Sequence, residues 1–210
     1  MARQKKKLKQ RGKPRVGIVV DGETEVWYLQ MLKRHETHLA VDIKPELPSK
    51  KRKKLPDLFD RVVEMAADYV QVFWVVDLDV VLKETKEHKG GGETPLQALR
   101  RYRKKLEDQN SNVSVIYNQP CLEYWLLLHL KSKKGLFSGC NEAENLLRQI
   151  EPSYDKSEQY FVRQTPDIYA RFRPQFPEAI SRAREGKFSA EQPNNGLSEM
   201  HKLFDFLGIS

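Results

Sequence analysis

Two short apolar runs, at residues 16–20 and 72–76, each end abruptly in acid: Asp21-Gly22-Glu23-Thr24-Glu25 follows the first and Asp77-Leu78-Asp79 the second. Five consecutive apolar residues read as a strand buried on both faces, as in a parallel sheet covered by helices. In such sheets the ligand crevice lies outside the carboxyl ends of the strands, so acids distant in sequence can meet there. Asp21, Glu25, Asp77 and Asp79 would then share one crevice, where like charges repel and favour a cation.

A third apolar run, residues 113–117, ends at Asn118. Between the runs, residues 24–34 and 95–108 carry apolar positions at helical spacing, with Thr24 as a candidate N-cap. Residues 39–46 alternate as an edge strand would. Pro56 opens a helix to about residue 69, whose core face would be Phe59, Val62, Val63, Ala66 and Val70. Gly90-Gly91-Gly92 reads as a linker. Beyond Pro120 follow helical patterns at residues 120–130, 141–150, 177–186 and 197–207. The expected fold class is α/β, a Rossmann-like parallel sheet flanked by helices, with a helical C-terminal part. Residues 1–15 would be a basic tail, 16–135 the α/β domain, and 136–210 an extension packed on it.

The chain has 210 residues and a 39% hydrophobic content, enough for a substantial core. Its two cysteines, Cys121 and Cys140, lack Cys-x-x-Cys spacing, so neither a disulfide nor a cysteine-rich zinc site is expected. Cys121 reads as a small packing residue, and a cytoplasmic location follows. No run of about 18 apolar residues and no hydrophobic export segment is present, which excludes membrane and secretion readings. The +8 net charge resides entirely in the first fifteen residues. Such a block is a solvated tail or a phosphate-binding arm. Two further basic clusters favour nucleic acid as a partner, bound through counterion release. The candidate contacts are Lys5, Lys6, Lys7, Lys50, Lys51, Arg52, Lys53, Lys54, Arg100, Arg101 and Lys104. No phosphate-binding P-loop occurs. His35-Glu36-Thr37-His38 lacks zinc-protease spacing and reads as a helix end.

Asp77-x-Asp79 puts two carboxylates on one side of an extended segment, suited to a magnesium ion that takes hard oxygen ligands. Acids also end strands simply by forming turns and caps. Glu123 and His129 interrupt an otherwise apolar helix. A buried charge there needs a partner, although Glu123 also suits the helix N-terminus. His129 reads as a structural histidine.

The Gly-x-Thr-Glu segment at residues 22–25, the Asp-x-Asp at 77–79 and the Pro-Cys-Leu-Glu-Tyr-Trp-Leu-Leu-Leu-His block at 120–129 together resemble the RloB-like proteins, relatives of the AbiLii-type abortive-infection proteins. Tyr154-Asp155-Lys156 and Gln192-Pro193-Asn194 look like further landmarks. The resemblance implies a TOPRIM-like fold and a metal-dependent nuclease acting on DNA or RNA in prokaryotic antiviral defence, with an RloA-like ATPase partner. It implies Mg2+ or Mn2+ held by Asp21, Glu25, Asp77 and Asp79, and catalytic roles for Asp21, Glu25, Glu123 and Lys156. Asp21 departs from the pattern, which usually has Glu, and retracts its carboxylate by one methylene. An alternative is a nucleic-acid- or partner-binding module that has lost the chemistry. A haloacid-dehalogenase-like phosphotransferase matches residues 77–81, but its later acidic strand end is missing at Asn118.

Overall fold

The computed structural model describes residues 15–46, 53–131, 135–189 and 194–209. The three apolar runs become the central strands of a five-stranded sheet. The strands are β1 (Val16–Val19), β2 (Val41–Lys44), β3 (Gln71–Asp77), β4 (Val113–Gln119) and β5 (Leu197–Ser198), in the order β2-β1-β3-β4-β5. The first four are parallel and β5 is antiparallel to β4. From β1 the chain first builds β2 on one side, then crosses to β3 on the other. The order therefore reverses between β1 and β3, and at such a switch point the connections diverge and leave a crevice.

Nine helices flank the sheet among the described residues: α1 (Glu23–His35), α2 (Leu55–Ala66), α3 (Leu78–Glu87), α4 (Pro95–Gln109), α5 (Leu122–Leu130), α6 (Cys140–Ile150), α7 (Ile168–Phe172), α8 (Phe176–Arg184) and α9 (His201–Leu207). Strand side chains alternate between faces, so continuous apolar runs feed two cores. Val19, Trp74, Val76 and Val115 pack with Leu58 and Val62 of α2, Leu82 of α3 and Leu99 of α4. Ile18, Phe73, Val75 and Ile116 belong to the larger opposite core, with Leu29 of α1, Trp125 of α5, Phe176 of α8 and Phe204 of α9. There Trp125 stacks on Phe204 at 5.2 Å and donates its indole N–H to the Tyr28 hydroxyl at 2.8 Å. His129 is buried in the same core, its Nδ1–H donating to the Trp125 carbonyl at 2.9 Å. It is the structural histidine that its apolar helix suggested.

Several local expectations change. α1 is capped by Gly22, not Thr24, whose hydroxyl instead donates to Glu25 Oε2 at 3.3 Å. Residues after Asp77 are not extended: α3 begins at Leu78 and puts Asp79 in its first turn. α2 ends at Ala66, and its buried face is Leu58, Val62 and Met65, leaving Val63 44% and Val70 50% exposed. The terminal helix starts at His201 because Leu197 and Ser198 pair with the end of β4. α1 does end at His35, where His35 Nε2 meets Asp167 Oδ2 at 2.8 Å. Among the described residues, no helix is long and apolar enough to cross a membrane.

Candidate functional site

A cavity of about 560 Å³ opens at the carboxyl ends of β1 and β3. Asp21, Glu25, Asp77 and Asp79 line one part of it, and Cys140, Glu144 and Lys156 another. The strand ends place the first set. β1 delivers Asp21, whose Oδ1 accepts the backbone N–H of Lys53 at 3.0 Å. That contact holds Lys53, two residues before α2, beside Asp21. The first turn of α1 delivers Glu25, which is 6% exposed. Gly22 makes this possible, because a Cβ there would overlap Glu25 Oε2.

Asp77, the last residue of β3, accepts from Asn118 Nδ2 at 3.3 Å and from the Leu122 backbone N–H at 3.2 Å. Asn118 Oδ1 in turn accepts from the Ser198 hydroxyl at 2.8 Å, so β5 fixes the amide that fixes the acid. Asp77 and Glu25 also lie close enough that each perturbs the other's titration. Two neighbouring buried carboxyls cannot both ionise cheaply. Burial first, then the neighbouring Glu25 charge, raises Asp77 well above the usual carboxyl range, and burial raises Glu25 as well. Asp79 Oδ1 accepts the Val80 backbone N–H at 2.7 Å. Among the described residues, no three of these four acids bring carboxylate oxygens within 4.8 Å of one another. The tight unit is the Glu25–Asp77 pair, with Asp21 and Asp79 on the surrounding wall.

Glu123 is fully buried. Its Oε1 accepts from the Tyr154 hydroxyl at 2.7 Å and from Lys156 Nζ at 2.9 Å. Burial and then Glu123 push the Tyr154 hydroxyl up. For Lys156, burial alone lowers the pKa, but the adjacent Glu123 and the more distant Glu25 and Asp77 outweigh it, and the net direction is up. Lys156 thus enters the cavity as a held cation, and Glu123 acts behind it.

The expectation that the cysteines stay unpaired is overturned: Cys121 and Cys140 form a disulfide. They are 19 residues apart in sequence, but the starts of α5 and α6 bring their Cα atoms to 5.6 Å. Local spacing cannot reveal such a pairing. In the sequence Asn118 reads only as a strand end and Tyr154 only as part of a family landmark, and neither leaves a local signal for its contact.

The basic residues are divided. On α4, Arg101 grips Glu93 with two bonds of 2.8 Å, Lys104 pairs with Asp108 at 3.1 Å, and Arg100 lies 5.4 Å from the Phe188 ring centre. Lys53 and Lys54 are exposed where α2 begins. Lys5, Lys6, Lys7, Lys50, Lys51 and Arg52 lie outside the described residues, as do Gln192 and Pro193.

No curated protein and no solved structure matches the chain. Residues 16–207 match the family model described as RloB-like protein, and the chain accordingly belongs to the RloB-like family.

Proposed function

We propose that the chain is a metal-dependent, TOPRIM-like nuclease that cleaves phosphodiester bonds of DNA or RNA. One observation carries the reading: acids from the ends of β1 and β3 line the same cavity as Lys156, at the point where strand order reverses. The donor set suits Mg2+ or Mn2+. It consists of hard carboxylate oxygens, and magnesium characteristically uses one or two carboxylates while keeping several waters. Glu25 and Asp77 would hold the ion directly, and Asp21 and Asp79 would order its waters. The raised protonation of the Glu25–Asp77 pair points the same way, because a cation between them would relieve their repulsion.

A bound ion would neutralise charge on the phosphodiester and acidify an attacking water. The remaining roles fall to the chain. Lys156, held by Glu123, would bind a phosphate oxygen and stabilise the charge that develops on it. Glu25 or Asp21, where not committed to the ion, would accept the proton of the attacking water. Lys53 and Lys54, just before α2, would hold the flanking backbone. The same proposal includes cytoplasmic action in antiviral defence, beside an RloA-like ATPase, since the chain has no P-loop of its own.

The test is incubation of the full chain with single- and double-stranded DNA and RNA, with Mg2+ or Mn2+, with and without the ATPase. Metal-dependent cleavage that Asp77→Asn reduces at least a hundredfold is expected. No cleavage under any of these conditions, or cleavage unchanged by Asp77→Asn, overturns the enzymatic reading. Asp21 favours a second reading, a binding module without turnover, because its short side chain is already engaged by the Lys53 N–H. Metal-independent binding of nucleic acid without product would establish that reading instead.

A further inference from the structure

We propose that Cys121 and Cys140 are a reversible oxidation site in the wall of the acidic cavity, and that their redox state sets how firmly Glu123 holds Lys156. The proposal does not depend on nuclease activity. Both sulfur-bearing residues line the cavity, and they are joined as a disulfide. Cys121 is 1% exposed, whereas Cys140, the first residue of α6, is only partly buried. Of the two residues Cys140 is the more exposed, and a reductant entering the cavity is expected to attack its sulfur.

The consequence lies in the contacts of Cys140. Its Sγ is 3.2 Å from Glu123 Oε2 and 3.6 Å from Lys156 Nζ. In the disulfide that sulfur carries no hydrogen and offers Glu123 nothing. As a thiol it becomes an S–H donor aimed at the same carboxylate. Glu123 would then be served by the Tyr154 hydroxyl and the Cys140 thiol, and its hold on Lys156 would weaken. Oxidation removes the donor at Oε2 and leaves Tyr154 and Lys156, both on Oε1, as the partners that satisfy Glu123.

The exchange is balanced with a dithiol as reductant. Its thiolate attacks Cys140 Sγ, the Cys121–Cys140 bond breaks, and Cys121 leaves as a thiolate. The second thiol of the reductant then attacks the mixed disulfide and releases Cys140. The protein gains two electrons and two protons, and the reductant closes its own disulfide. A small disulfide oxidant runs the sequence backwards.

The experiment uses the full chain, treated with dithiothreitol or with oxidised glutathione. Free thiols are counted from iodoacetamide adducts by mass spectrometry after denaturation, and Lys156 acylation of the folded chain is followed by peptide mapping with folding monitored by circular dichroism. We expect no adducts in the oxidised chain, two in the reduced chain, full reversal, and Lys156 acylation several-fold faster after reduction. Cys140→Ser keeps a donor beside Glu123 and should acylate at the reduced rate under both conditions. Cys140→Ala has none and should stay at the oxidised rate. Two adducts under every oxidant, or pairing that leaves Lys156 acylation unchanged, overturns the proposal. So does a general rise in acylation of all lysines on reduction, which would make the disulfide a plain structural brace.

Discussion

Lys156 Nζ lies 2.9 Å from Oε1 of Glu123, and the two are unequal partners: the glutamate side chain is 1% exposed and the lysine 38%. The glutamate cannot reach water if the lysine is removed, whereas the lysine can reach water without the glutamate. Removing one member of a buried pair typically costs about 3–5 kcal/mol, and the exposure of Lys156 reduces this to about 2 kcal/mol for Lys156→Met. Glu123→Gln on that background removes the stranded charge and should restore about 1 kcal/mol. Urea unfolding of the two single variants and the double variant measures the coupling. Strict additivity would mean that the pair contributes nothing.

The Glu25–Asp77 pair makes a pH-dependent claim. Both carboxyls are raised above their ordinary values of 4.5 and 3.8, so the folded chain holds more protons than the unfolded chain above about pH 4. Their contribution to stability is present at low pH and is lost as pH rises through the folded values. A cation that needs the ionised pair should show the opposite trend. At tenfold excess over its Kd, Mg2+ should stabilise the chain by about 1.4 kcal/mol, or about 4 °C in Tm. Melting curves with and without the ion should show the shift at pH 8, a smaller one at pH 5, and none in Asp77→Asn.

The sheet was legible because its strands are buried on both faces, and short runs rich in β-branched and aromatic residues, such as residues 72–76, read as strands. Asp77 was legible for the same reason: it stands where the burial stops. What escaped depended on contacts between distant segments. β5 has only Leu197 and Ser198, too few to show a period, and exists because β4 has an open edge. The Cys121–Cys140 bond, the Asn118 bridge and the Tyr154–Glu123 bond each join segments that the sequence separates. Asp79 was found but its setting was misread, because an acid two residues past a strand end looks the same whether the chain stays extended or turns into a helix.

His129 titrates with the opposite sign. Burial, partly countered by the backbone carbonyls it faces, lowers its pKa from 6.5 to about 3. Between those values the unfolded chain binds the extra proton, so the stability it contributes is full above pH 6.5 and declines as pH falls towards 3. The wild-type free energy of unfolding should therefore drop from pH 7 to pH 4.5. His129→Asn, less stable throughout for want of ring packing, should show a shallower drop over the same range. An identical slope in both chains would show that other groups govern the acid limb.

Gly22 separates stability from site geometry. Its backbone is extended, φ −98°, a conformation open to any residue, so alanine meets no backbone penalty there. The obstacle is the Glu25 carboxylate, whose Oε2 occupies the space of a Cβ and whose Cδ would lie only 3.1 Å away. Glu25 is a flexible side chain, so it should move aside rather than unfold the helix. Gly22→Ala is thus expected to change unfolding free energy by less than about 1 kcal/mol. Moving Glu25 changes its position relative to Asp77, and the cost should appear in cation affinity. Calorimetric titration with Mn2+ should show binding weakened at least tenfold, comparable with Glu25→Gln. If Gly22→Ala binds Mn2+ like the wild type, Glu25 is not a ligand in its present position.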